Sequence, residues 1–229
     1  MKRNLMLVIF SVATLVFSYA LTTPEEMLKN IKWFGQSGIK ISTDKISIYV
    51  DPFMLKQSDK ADIILITHDH PDHYSEKDIV KLKTNNQIII APFNINDTNI
   101  MLLPGNSITV KGIKIEAVPA YNIVKTNHSK SKNYAGFIIT IDGVKIYHAG
   151  DTEKIPEMNN IQCDIAFLPL GQTYTMNTVA EAIDAALATK TKIAIPFHFG
   201  LAEGTLDDAK KFVSELTKKG VKSFIMKQE

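Results

Sequence analysis

Thr67-His68-Asp69-His70-Pro71-Asp72-His73-Tyr74 sets three imidazoles and two carboxylates within six residues, directly after the apolar run Ile63-Ile64-Leu65-Ile66. Four consecutive branched aliphatic residues read as a strand buried on both faces. A buried strand that delivers so many titratable groups at its end is penalised for burying charge unless something satisfies them, and a divalent cation does that best. Ser75 reads as the N-cap of a helix reaching about Leu82, with Asp78 at its third position as a capping-box-like partner. The cluster therefore occupies a strand-to-helix loop, the place where α/β architectures hold reactive groups on a rigid scaffold.

Upstream, Thr22, Thr23 and Pro24 open a short helix signal with Glu25 and Glu26, followed by the core segment Ile31-Lys32-Trp33-Phe34 and a turn at Gly35-Gln36-Ser37-Gly38. Ile39 and Ile41, then Ile46, Ile48 and Val50, alternate with polar residues across Thr43-Asp44-Lys45, which predicts an antiparallel meander ending at Asp51-Pro52. Downstream, strands are expected at 88–90, 108–110 and 113–118. Asp142-Gly143 joins the runs 134–141 and 144–147 as a type I′ hairpin. The second arm runs into His148-Ala149-Gly150-Asp151-Thr152. A strand at 165–168, a helix from about Thr178 to Ala188, a strand at 193–195 stopping at Pro196-Phe197-His198, a helix from about Asp207 to Lys219 and a last strand at 223–226 complete the chain. Strand meanders followed by alternating helices and strands predict an α/β (α+β) fold, a four-layer αββα sandwich of two face-to-face sheets with helices outside.

The 229 residues are 45% hydrophobic and 22% charged, as one globular domain requires. Residues 1–20 stand apart, because Lys2 and Arg3 precede an apolar run to about Leu21, and Ser18-Tyr19-Ala20 supplies small residues for cleavage. This reads as a signal peptide, with an uncleaved membrane anchor as the alternative, ahead of a single domain over 21–229. The expected location is outside the cytoplasm, periplasmic or extracellular. Of 26 Lys+Arg and 24 Asp+Glu, Lys2 and Arg3 fall in the leader, so 24 basic residues face 24 acidic ones afterwards. A neutral domain lacks the basic stripe that nucleic acid demands, which leaves a small-molecule substrate as the expected partner. Cys163 is the only cysteine, so no internal disulfide forms, and its apolar setting reads as a buried, inert thiol.

The six histidines are His68, His70, His73, His128, His148 and His198. On extended backbone His68 and His70 face one side, while Asp72 and His73, beyond the Pro71 kink, address a second point. That arrangement serves two metal ions, and Asp151 can bridge them where Gly150 lets the backbone turn tightly. The Thr-His-x-His-x-Asp-His pattern at 67–73, Gly150-Asp151-Thr152 and the strand-end His198 together resemble the metallo-β-lactamase superfamily. The resemblance covers the whole mature chain. Trp33-Phe34-Gly35-Gln36-Ser37-Gly38, Asp51-Pro52-Phe53, Tyr147-His148-Ala149-Gly150-Asp151-Thr152 and Thr173-Tyr174-Thr175-Met176 look most like the branch of small metal-dependent hydrolases that includes L-ascorbate-6-phosphate lactonase-like proteins.

The resemblance implies that His68, His70 and a later histidine bind one ion, that Asp72, His73 and His198 bind the other, and that Asp151 bridges. The later histidine is taken as His128, with His148 the alternative ligand and otherwise a group that orients a ligand or the substrate. Two divalent ions would lower the pKa of a shared water and hold the hydroxide for attack. Zinc suits the mixed imidazole and carboxylate set, and manganese or iron is compatible with it. Asp72 and Asp69 are the candidate catalytic carboxylates; for Asp69, accepting a proton and a structural hydrogen bond both stay open. Tyr121, Asn122, Tyr174 and Thr175, with Met176, fall in loops that can line a pocket. The expected activity is hydrolysis of an ester, lactone or phosphodiester. Two alternatives are a non-catalytic metal-binding or sensing module and a di-iron oxidoreductase.

Overall fold

The structure, a computed structural model, describes residues 22–57, 59–95 and 100–229. The expected signal peptide lies outside the described residues, as does the charge of Lys2 and Arg3. No helix among the described residues is long and apolar enough to cross a membrane.

One sheet contains, in spatial and chain order, β1 (Ile31–Trp33), β2 (Ile39–Ser42), β3 (Ser47–Val50), β4 (Ile63–Leu65), β5 (Ile88–Ala91) and β6 (Ile100–Met101). The first three are antiparallel, and β3 to β6 run parallel. The second sheet contains β7 (Ser107–Val110), β8 (Ile113–Pro119), β9 (Ala135–Ile141), β10 (Val144–His148), β11 (Ile165–Pro169), β12 (Ile193–Phe197) and β13 (Lys222–Ser223). It is antiparallel through β10 and parallel from β10 to β13. Between β9 and β10, Asp142 and Gly143 take φ of 48° and 82°, the two left-handed positions that a type I′ turn requires.

The apolar run before the histidine cluster is buried on both faces, as its lack of alternation predicts. Ile63 and Leu65 join the main core with Ile115, Phe137 and Ile146 of the other sheet. Ile64 and Ile66 point the opposite way into a smaller cluster with Tyr49, Leu82 and Ala91. Among the helices α1 (Pro24–Leu28), α2 (Glu76–Val80), α3 (Val179–Ala188) and α4 (Leu206–Lys218), α3 packs on β11, and α4 on β12 and β13. Cys163 is buried, and burial pushes its thiol up to about 11, away from the reactive thiolate.

Two expectations are corrected, and one strand is added. Helix α2 stops at Val80 and has no capping box, because Asp78 is fully buried. Its carboxylate accepts from the Ser75 hydroxyl at 2.8 Å, Met54 N at 3.2 Å and Lys81 Nζ at 2.8 Å. The last strand pairs only over Lys222–Ser223. Beyond it the tail crosses to the other sheet, where Gln228 bridges Trp33 and Glu229 N donates to Trp33 O at 3.0 Å. Strand β6, two residues long, was not expected at all.

Nearly every chemically interesting residue follows the carboxyl end of a strand. Gln36 comes after β1, Asp51 after β3, 67–73 after β4, His128 after β8, Asp151 after β10, Tyr174 after β11 and His198 after β12. The two sheets are tied together at this edge. Ala135 N donates to Thr67 O at 3.1 Å, His198 N to Gln36 O at 3.0 Å and His148 Nε2 to Ser37 O at 3.0 Å.

Candidate metal centre

Two groups of potential ligand atoms form at this edge: His68, His70, His128 and Asp151, and beside them Asp72, His73 and His198, with the atoms of each group within 4.8 Å of one another. His70 Nδ1 lies 3.1 Å from Nε2 of both His68 and His128. His73 Nε2 lies 3.3 Å from His198 Nε2. Asp151 stands between the groups. Its Oδ2 is 3.9 Å from His68 Nε2 and 3.4 Å from His128 Nε2, and its Oδ1 is 3.3 Å from Nε2 of both His73 and His198. That Oδ1 is buried and takes no hydrogen bond among the described residues.

The outward-facing nitrogens of four of these rings, His68, His73, His128 and His198, are already engaged. Asp51, fully buried, accepts Thr67 N on Oδ1 at 2.7 Å; its Oδ2 accepts the Thr67 hydroxyl at 2.6 Å and His73 Nδ1 at 2.7 Å. The Thr67 hydroxyl spends its proton on Asp51, so it accepts from His68 Nδ1 at 2.9 Å. His128 Nδ1 donates to the Tyr174 carbonyl at 3.2 Å, and His198 Nδ1 to Glu203 at 2.9 Å. With a proton fixed on each outer nitrogen, the Nε2 atoms of His68, His73, His128 and His198 can turn lone pairs inward, the arrangement that holds metal-ligating imidazoles. An orphaned carboxylate oxygen facing two such nitrogens is what a bound cation would satisfy, so the residues fit a metal ion.

Charge follows this geometry. Burial pushes the His68 and His128 imidazoles down. For His198, burial works downward, but the Asp151, Asp72 and Glu203 carboxylates outweigh it and hold it at about 9. Burial opposes ionisation of Asp151 and Asp72, yet His198 and His73 keep both carboxyls well below the usual range. In metal-stripped protein the His198 contribution to stability is complete below its ordinary value of 6.5 and is lost as pH rises through about 9. The raised His73 acts in the same direction. Melting temperature is therefore expected to fall across that window, less so in His198→Gln, and a flat profile in the unmutated stripped protein would contradict this charge arrangement.

Of the two histidines that sequence left open, His128 joins His68 and His70, whereas His148 joins neither group. His148 accepts Gly150 N on Nδ1 at 3.3 Å and rests on Phe197, with ring centroids 4.5 Å apart. Asp69 lies outside both groups, exposed, with its carboxylate accepting the Tyr134 hydroxyl; the Tyr134 ring sits 5.0 Å from that of His68. Tyr121 turns its hydroxyl to Glu157 at 2.8 Å. Asn122 Nδ2 donates to Tyr174 O at 2.7 Å, and the Thr175 hydroxyl to Glu203 at 2.9 Å. Met176 is fully buried.

Four polar residues went unassigned in the sequence. Asp51 is one. Glu203 accepts the backbone N–H groups of Thr173 at 3.0 Å and Tyr174 at 2.6 Å besides its bond to His198, so one carboxylate fixes both a ring and a loop. Glu153 does the same for the loop leading to His128, accepting Ile123 N and Val124 N at 2.8 Å and Lys125 N at 3.0 Å. Gln36 Nε2 lies 2.9 Å from both Asp72 Oδ2 and His198 Nε2, while its buried Oε1 takes no hydrogen bond among the described residues. The signals were an acid closing an apolar strand at Asp51 and acids beside strand-end ligands at Glu153 and Glu203; for Gln36 the signal was its place in the Trp33-to-Gly38 motif, which named no role for it.

Gly204 makes the Glu203 loop possible. It has φ of 62°, and a Cβ there would lie 1.9 Å from the Leu170 carbonyl oxygen. Gly204→Ala is expected to cost about 1–3 kcal/mol by overpacking alone, with left-handed strain added, and a denaturant melt checks it; unchanged stability would contradict the close approach.

The groups open into a cleft of about 280 Å³ lined by Gln36, Asp72, Asn127, Tyr174, Leu201 and Ala202 beside the ligand atoms. Comparison with known proteins agrees with this geometry. The sequence profile described as a beta-lactamase superfamily domain matches residues 30–198. A UPF0173 metal-dependent hydrolase of Geobacillus is 34% identical over 212 residues, covering 81% of this chain and 92% of the relative. A crystal structure of a Parabacteroides distasonis protein assigned as a metal-dependent hydrolase superposes with a TM-score of 0.76 at 36% identity, over 87% of this chain and 93% of that one. A Thermotoga maritima structure, assigned as a zinc-dependent hydrolase of the metallo-β-lactamase superfamily, superposes with a TM-score of 0.58 at 26% identity, over 79% and 84% of the two chains. The fold, the converging histidines and these relatives lead to one conclusion: the chain belongs to the metallo-β-lactamase superfamily and is a metal-dependent hydrolase.

Proposed function

We propose that the protein is an exported hydrolase with a dinuclear, zinc-containing site that cleaves an ester, lactone or phosphodiester bond of a small molecule. His68, His70 and His128 would hold one ion, Asp72, His73 and His198 the other, and Asp151 both. The observation that carries this reading is the orphaned Asp151 Oδ1 facing imidazoles whose outer nitrogens are already engaged. Cations bound there supply Lewis-acid polarisation of the scissile group and acidify a water for attack near neutral pH. Manganese or iron fits the same donors.

The protein's own residues do the rest. Asp51 and Glu203 hold the rings of His73 and His198 against rotation, and Gln36 donates to Asp72. Asp72 is ionised, partly exposed and at the cleft, so it serves as an acceptor and not as an acid. Asp69 can take a proton only at the rim, through its bond to Tyr134. Export rests on Lys2, Arg3 and the apolar leader.

Purified protein is expected to turn over members of an ester, lactone and phosphodiester panel, to stop on chelation and to resume on adding zinc. Tight metal binding without turnover of any member would instead favour a sensing module. For export, a signal-bearing fusion is expected outside the cytoplasm, and retention inside would contradict it.

A further inference from the structure

The cleft has two unlike features. It holds carboxylates and imidazoles, while the rest of its lining is mainly apolar, with Asn127 and Gln36 as amides and no lysine or arginine. Leu201 is 61% exposed and Tyr174 39%, and both line the cleft with Pro71 and Ala202. Ile123 and Val124, 58% and 75% exposed, stand on the loop that also carries Asn127 and His128. Exposed large apolar side chains gathered on loops around one mouth mark a surface that is covered in function.

No lysine or arginine lines the cleft among the described residues. Of the three lysines at 125–132, Lys132 is exposed and does not line the cleft, and the other two are engaged. Lys125 Nζ binds the Thr175 carbonyl and, at 2.8 Å, Asn177 Oδ1. Lys130 Nζ is 3.0 Å from Glu157 and 3.2 Å from the Tyr121 hydroxyl. Residues 22–229 contain no arginine, so the forked donor that grips a phosphate or carboxylate is missing from the domain. Two divalent cations would bring four positive charges, which the carboxylates of Asp51, Asp72, Asp151 and Glu203 balance. A loaded site would therefore have little excess charge to draw an anion in.

We propose that the substrate is an uncharged carboxylic ester or lactone whose apolar arm lies on Tyr174 and Leu201, and that a phosphate on the substrate is selected against. This rests on the metal-hydrolase reading above and narrows it. A phosphorylated sugar lactone, the substrate class implied by the branch resemblance, falls on the disfavoured side. An apolar arm gains by covering Leu201 and Tyr174, whereas a phosphate would lose hydration and meet no lysine or arginine in the lining.

The test uses the metal-loaded protein and one lactone ring bearing an alkyl, a hydroxymethyl or a phosphorylated hydroxymethyl arm, so that intrinsic reactivity is matched. The expected order of kcat/KM is alkyl, hydroxymethyl, phosphorylated, with at least about tenfold between the ends. Leu201→Ser is expected to raise KM for the alkyl lactone more than it lowers kcat, and Leu201→Lys to narrow the gap to the phosphorylated one. Calorimetry with alkyl hydroxamates and alkyl phosphonates is expected to show tighter binding of the hydroxamates and tightening with arm length. Chelator-sensitive turnover that favours the phosphorylated lactone would overturn this proposal and leave the hydrolase reading standing. No chelator-sensitive turnover of any of the three would overturn both. Self-association that Leu201→Ser abolishes would show the apolar mouth to be covered by a second copy and would also overturn it.

Discussion

Asp151→Asn is expected to lower kcat/KM by roughly a thousandfold or more, about 4 kcal/mol of transition-state stabilisation, while the protein still folds. The substitution keeps the size of the side chain and removes the one negative charge that faces both groups of imidazoles. Its Oδ1 and Oδ2 lie 3.3–3.9 Å from four ring nitrogens, so both candidate ions lose a partner at once. Circular dichroism would report the retained fold and elemental analysis the metal content. Unchanged activity in a folded Asn variant would remove Asp151 from the centre. A further prediction concerns the raised His198. Without Asp151, one of the three carboxylates holding it near 9 is gone, so its titration should move down.

Glu203→Ala is expected to have the largest effect on stability, about 3–5 kcal/mol, because it strands a buried charged partner and several donors together. The carboxylate holds His198 Nδ1, two close backbone N–H groups and the Thr175 hydroxyl. Its own ionisation is opposed by burial and favoured by His198 and the Tyr174 N–H, which leave it below the usual range. Loss of a carboxylate behind a ligand imidazole also costs roughly tenfold to a hundredfold in metal affinity. Glu203→Gln preserves volume and one acceptor, so it should fall between the two in both melt and metal titration. An Ala variant as stable as the parent would show that the loop at 171–175 is held by something else.

Much of this centre could be read from local sequence, since local pattern is what places residues at strand ends. A four-residue apolar run with no alternation specifies a strand buried on both faces, and Ile63 to Ile66 behave accordingly. Asp142-Gly143 specifies its turn by backbone preference alone. Histidines that converge on a cation carry a composition signal strong enough to survive the absence of any structure. The acids behind them carry a signal of position but none of partner. Asp51 and His73 are 22 residues apart, and the link between them depends on β3 and β4 lying side by side. The same limit explains Asp78, whose place in a helix start suggested a cap and whose burial made it a tie to Met54 instead. It also explains the tail, which leaves β12 to reach Trp33 on the other sheet. A similarity to the ascorbate-phosphate lactonase branch rests on sequence motifs alone, and a cleft lined by no lysine or arginine among the described residues bears on it directly.

The number of metal ions held by the folded domain tests the paired centre most directly. Residues 21–229, stripped and reloaded with zinc, should bind about two equivalents by elemental analysis after gel filtration, and Asp72→Asn or His198→Gln should release one while the His68, His70 and His128 group keeps the other. Retention of no more than one equivalent by the unmutated domain, or loss of neither on those substitutions, would contradict the paired centre.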